Sequence, residues 1–101
     1  MKYDIDLTIS RCERKLAFLY GLIVKGEYRQ CIEKCNEEIK ENQICSKNIK
    51  KYLLWHLYII KGRCHKLLEE KKAARNNFKY AIIHSNTNYH RLKASYFFIA
   101  C

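Results

Sequence analysis

No proline interrupts the chain, and its 101 residues include only three glycines, Gly21, Gly26 and Gly62. All-β folds build their tight turns chiefly from these two residue types, so the chain has almost nothing to make them from. The hydrophobic period is helical throughout. Cys12, Leu16, Leu19 and Ile23 fall on one stripe, and Ser10 with Glu13 has the spacing of a capping box, which places the start of a first helix there. That helix is expected to stop at Gly26, because glycine adopts the left-handed conformation common at helix C-termini.

A second helix is predicted from Glu27, burying Tyr28, Cys31, Ile32, Cys35 and Ile39. The period is lost over "NQICSK", residues 42–47, which reads as a linker. A third helix, from about Asn48 to Leu68, is apolar nearly all round (Tyr52, Leu53, Leu54, Trp55, Leu57, Tyr58, Ile59, Ile60) and so belongs at the centre of a packed array. After "EEKK" a fourth helix buries Ala74, Phe78, Ala81 and Ile82 and ends near "HSNTN". A fifth begins near Tyr89 and carries Leu92, Tyr96 and Ile99 at helical spacing. The expected fold is all-α: antiparallel helix-turn-helix pairs stacked as a short α-solenoid of about five helices.

A chain of this length forms one domain, 1–101, burying roughly 60 to 70% of its unfolded surface. With 49% hydrophobic and 30% charged residues it is too apolar for intrinsic disorder. The longest apolar run, "YLLWHLYII", is broken by His56 and falls well short of the ~20 residues of a spanning helix, so no membrane partner is expected. Aspartates occupy the place of a secretion signal's apolar core in "MKYDIDLTIS", which reads as cytoplasmic or nuclear rather than secreted. Under that reading the six cysteines (12, 31, 35, 45, 64 and 101) are reduced packing residues rather than a disulfide framework.

The net charge of +10 is concentrated. Residues 42–101 carry twelve Lys or Arg against only Glu69 and Glu70. Such a surface attracts an acidic peptide, an anionic subunit or nucleic acid; it is also what solvated outer helix faces look like.

Setting Gly26-Glu27-Tyr28 beside Glu69-Glu70-Lys71, 43 residues on, pairs Cys31 with Ala74, Cys35 with Phe78, and Glu38-Ile39 with Ala81-Ile82. Helix pairs repeating at ~34 to 47 residues mark α-solenoids. On these residues the sequence resembles the tetratricopeptide repeat family, in which a helix pair carries a small residue on its first helix, a Gly-acid-Tyr turn, and alanine, an aromatic and alanine on its second. The second unit, about 48–85, supplies Gly62, Ala74, Phe78 and Ala81; the first, about 8–41, supplies Gly26, Glu27, Tyr28, the small Cys31 and Ile32; a third begins at 89–101. The first unit departs in lacking the small residue on its first helix and the final alanine, and neither unit has the closing proline. In physical terms Ala74 and Ala81 permit close helix crossing while Phe78 fills the gap toward the next pair.

Chemistry is sparsely encoded. Cys31 and Cys35 share a helix face and could join Cys45, Cys64 or His65 around a metal, yet no Cys pair has the two-residue spacing of such sites, so no metal or cofactor is expected. Cys64 and His65 point about 100° apart on a helix, and pairing Cys64 with His84 is no better supported. No phosphate loop, HExxH or GxSxG occurs, and the chain is read as non-enzymatic. His56 and Trp55 lie within the most apolar helix, and Glu33, Glu37 and Glu41 with Lys34 and Lys40 form an exposed charged face.

The resemblance implies a protein interaction scaffold that takes a peptide or a larger subunit. The carboxylate-clamping lysines and asparagines of some family members are not found at the matching places near Leu16, Tyr20, Ile59 and Arg63. The alternative is nucleic-acid binding through a basic surface of Lys61, Arg63, Lys66, Lys71, Lys72, Arg75, Lys79, Arg91 and Lys93. The terminal "YFFIAC" offers Tyr96, Phe97, Phe98 and Ile99 for self-association or for further repeats.

Overall fold

The computed structural model describes residues 2–41 and 47–101, with side chains from residues 10–41 and 50–101. Five helices make up the described residues: α1 (Lys2–Val24), α2 (Tyr28–Glu41), α3 (Lys47–Leu67), α4 (Lys71–Ile83) and α5 (Asn88–Ala100). No strand occurs among them. Neighbours in sequence pack together, α1 on α2, α2 on α3, α3 on α4 and α4 on α5, and α1 also touches α3. The chain is a stack of antiparallel helix pairs, all-α as expected. The linker placed at residues 42–47 lies outside the described residues except for Lys47, which opens α3.

Two turns govern the stack, and they have the same geometry. At the end of α1, Gly26 sits at φ 79°, its N–H donates to the Ile23 carbonyl (3.0 Å), and the Glu27 N–H donates to Leu22 (2.9 Å). At the end of α3, Glu69 sits at φ 62°, its N–H donates to Lys66 (3.0 Å), and the Glu70 N–H donates to His65 (2.8 Å). Both are complete Schellman motifs, in which a left-handed residue lets the chain satisfy the last carbonyls of the helix. Each position of the second lies 43 residues beyond its counterpart in the first, the offset read from the packing residues. The start of α5 uses a different device: the Thr87 hydroxyl accepts from the His90 N–H at 3.1 Å.

The first helix corrects an expectation. Ser10 does not cap it; α1 begins at Lys2 and runs through Ser10 without a break. No glycine or proline stands between Lys2 and Ser10, so no breaker interrupts the helix there. The stripe also shifts by one residue near its end, because Leu22 is buried while Ile23 only edges the core.

Two cores fill the stack. Cys12, Leu16, Leu19 and Leu22 of α1 meet Cys31, Ile32 and Cys35 of α2 and Leu53, Leu57, Ile60 and Cys64 of α3. Trp55 and Ile59, on another side of α3, meet Ala74, Phe78 and Ala81 of α4 and Ala94 of α5. As its all-round apolar sequence requires, α3 is the central helix, serving both cores. Phe78 is fully buried, stacked on Phe97 at 5.3 Å and lying against Gly62. Ile82, Tyr28 and Ile39 are only partly buried, whereas Asn77, not singled out by periodicity, is buried and donates back to the Ala73 carbonyl at 2.8 Å.

On α5 the terminal aromatics separate by face. Phe97 and Phe98 turn inward against the second core; Tyr96 and Ile99 stay exposed. Of the four residues read as one exposed end, only these two form it.

Candidate interaction surfaces

On the side where α1, α3 and α5 adjoin, an aromatic cluster joins three helices. His56 Nδ1 lies 3.4 Å from the Tyr20 hydroxyl, and its ring meets Tyr52 (4.8 Å) and Trp55 (4.9 Å) edge-on. Trp55 donates its indole N–H to the His90 carbonyl at 3.1 Å and packs on the His90 ring at 4.5 Å, tying α3 to α5. Burial, then His90 and Lys93, hold the His56 imidazole down at a pKa of about 4, so at neutral pH it is uncharged. Burial likewise raises Tyr20 and Tyr52 above the ordinary phenol value, with Arg63 opposing at Tyr20. Tyr20 and Arg63 therefore share this face, while the neighbouring positions Leu16 and Ile59 belong to the cores. The cluster is locally encoded only by the Tyr52–His56 spacing of four; Tyr20 and His90 arrive from 36 and 34 residues away.

The nine cations read as one basic surface are distributed over several. Lys71, Lys72, Arg75 and Lys79 of α4 line a cleft of about 490 Å³ that Phe98 and Cys101 close on the α5 side. Arg75 lies over the Phe98 ring at 5.0 Å. Lys61 is half-buried over Tyr58 (5.7 Å), where burial lowers its pKa, and Lys93 lies over Tyr89 (5.7 Å). Lys66 and Arg91 are exposed on α3 and α5. The four α4 residues are brought together around one cleft.

The charged residues around the α3–α4 turn pair up. Glu70 receives Arg29 at 2.6 Å and His65 at 2.8 Å, and Arg29 first, then His65, keeps its carboxyl below the usual carboxylate range. Lys15 and Glu38 bridge α1 to α2 at 2.9 Å. Glu33, Glu37 and Glu41 with Lys34 and Lys40 lie exposed on α2, with Lys34 and Glu37 3.5 Å apart.

The cysteines are packing residues in this fold. Cys12, Cys31, Cys35 and Cys64 are buried and unbridged; Cys101 is free and half-buried, and Cys45 lies outside the described residues. Cys31 donates to the Leu19 carbonyl at 3.4 Å. Its contacts with Cys35 and Cys64, together with burial, push those two thiols above the ordinary range. Among the described residues no three His, Cys, Asp or Glu are grouped to hold a metal, and His65 is engaged by Glu70 rather than by Cys64. His84 stacks on Tyr58 at 5.5 Å. Among the described residues no helix is long and apolar enough to cross a membrane.

The most conspicuous surface is on α5. Tyr89 (65% exposed), Leu92 (71%), Tyr96 (70%) and Ile99 (81%) follow one another at spacings of three, four and three, so they form one solvent-facing row. On α3, by contrast, both apolar sides are covered. Comparison of the chain with protein-family models, with curated proteins and with solved structures finds no match.

Proposed function

We propose that the protein is a non-enzymatic interaction scaffold of the tetratricopeptide-like type, whose stacked helix pairs present a surface to another polypeptide. The observation that carries this reading is the α5 row. A contiguous apolar row on a charged protein marks an interaction site, since water solvates Leu92, Tyr96 and Ile99 poorly and none of them is buried in the core of the described residues. The family reading itself rests on the 43-residue offset shared by the two turns and by their buried positions, Cys31 with Ala74 and Cys35 with Phe78, each fully buried.

Affinity capture with the tagged chain, repeated after nuclease treatment and with a Tyr96→Glu/Ile99→Glu variant, tests the proposal. A protein should be retained through nuclease and lost with the variant. Capture that disappears with nuclease and survives the variant would replace this reading with nucleic-acid binding, for which the α4 cleft, lined by four cations and no acid, is the supporting feature.

A further inference from the structure

At 100° per residue, Tyr89, Leu92, Tyr96 and Ile99 occupy an arc of about 80° on α5. Ala94, fully buried, lies on the opposite side, with Phe97, Phe98 and Cys101 beside it. The row runs about 15 Å along the axis, or three turns, at the rise of an α-helix. That is the footprint an amphipathic helix covers with its own apolar side chains at i, i+3 or i+4, and i+7.

Charge narrows the occupant. Residues 71–101 hold six cations, Lys71, Lys72, Arg75, Lys79, Arg91 and Lys93, and no Asp or Glu. Lys93 borders the apolar arc on one side. Beyond Ser95 on the other comes Arg91, while Phe98 and the α4 cleft lie further round toward Ala94, about 100° from Ile99. A helix lying in the row therefore has one cation beyond each edge, Lys93 and Arg91, and no acidic side chain on α5. A second copy of this chain docking through the same face would bring the same cations to the contact and is disfavoured by repulsion.

Resting on the scaffold reading, we propose that the outer face of α5 docks an amphipathic helix of a partner protein, its apolar side on Leu92, Tyr96 and Ile99 and its acidic edges toward Lys93 and Arg91. The apolar contact supplies most of the affinity, and the cations select the partner and fix its orientation.

Two synthetic helical peptides with the same leucine face, one flanked by glutamate and the other by lysine, test this by fluorescence anisotropy on the full chain. The glutamate peptide should bind at least about ten-fold more tightly than the lysine peptide, and lose affinity as salt rises. Tyr96→Ser/Ile99→Ser should weaken it by about ten-fold or more. Arg91→Glu/Lys93→Glu should reduce the preference for glutamate while circular dichroism reports an unchanged helix content. Equal binding of the two peptides, no binding of either, displacement of the bound peptide by single-stranded RNA with the Tyr96/Ile99 variant unaffected, or sedimentation of the chain alone as a dimer through this face would each overturn the assignment. If neither peptide binds but captured protein is still lost with Tyr96→Glu/Ile99→Glu, the partner's chemistry is wrong and the scaffold reading stands.

Discussion

The two helix pairs share a backbone plan and fill it in opposite ways. Subtracting 43 places Gly62 of α3 on Leu19 of α1 and Phe78 of α4 on Cys35 of α2. In the second pair the first helix gives up its side chain and the second helix supplies a ring; in the first pair the first helix carries Leu19 and the second a small thiol. All four positions are buried. The first pair thus has its large residue on the first helix and its small one on the second, the reverse of the second pair, so each pair fills its core with one large and one small side chain. The turns differ in the same spirit: one left-handed position is Gly26, which adopts φ 79° without strain, and the other is Glu69, which pays for φ 62° with a Cβ contact.

The largest test of this comparison is Gly62→Leu. A Cβ at Gly62 would stand 2.7 Å from Cδ1 and 2.8 Å from Cζ of Phe78, a fully buried ring with nowhere to retreat, so the substitution should cost about 3 kcal/mol in urea unfolding. Adding Phe78→Cys, which converts the second pair to the filling of the first, should recover more than about 1 kcal/mol; additive losses would refute the exchange of volume between the two helices. Next come the turns. Glu69→Gly should stabilise by about 1 kcal/mol and Gly26→Ala should destabilise by about as much, and equal effects in the same direction would contradict the equivalence of the two motifs.

Acid sensitivity should separate the pairs further. The counterpart of His56 in the first pair is Glu13, exposed on α1. His56 titrates at about 4 when folded against 6.5 when free, so its contribution to stability is complete above pH 6.5 and is lost as pH falls toward 4. Allowing for its partial exposure, the loss should be on the order of 1 kcal/mol or less, and His56→Gln should flatten that part of the pH–stability curve. A wild-type curve unchanged by this substitution would remove His56 as the cause. Smallest of all, Glu38→Gln, which breaks the Lys15 bridge between α1 and α2, should change stability by no more than about 0.5 kcal/mol, because Lys15 is largely solvated. A larger loss would show that the first pair leans on charge where the second leans on Phe78.

The helices, their order and the central place of α3 were legible because period and breaker residues are local signals. Gly26 and the 43-residue alignment marked the turns even where the second used glutamate. Ser10 misled because a capping sequence acts only where the chain enters a helix, and α1 was already helical there. The grouping of the cations was not legible for a related reason. Charge counts along a chain ignore rotation about each helix, which is what brings Lys71, Lys72, Arg75 and Lys79 around one cleft.

By itself the sequence determined an all-α stack with two turns at a fixed offset, since those properties follow from backbone preferences and spacing within single helices. Tertiary structure alone decided which apolar residues of α5 remain in water. Tyr96 and Phe97 are adjacent and comparably hydrophobic, yet α4 offers Phe78 to one and nothing to the other, and that asymmetry makes the outer face of α5 available to a partner.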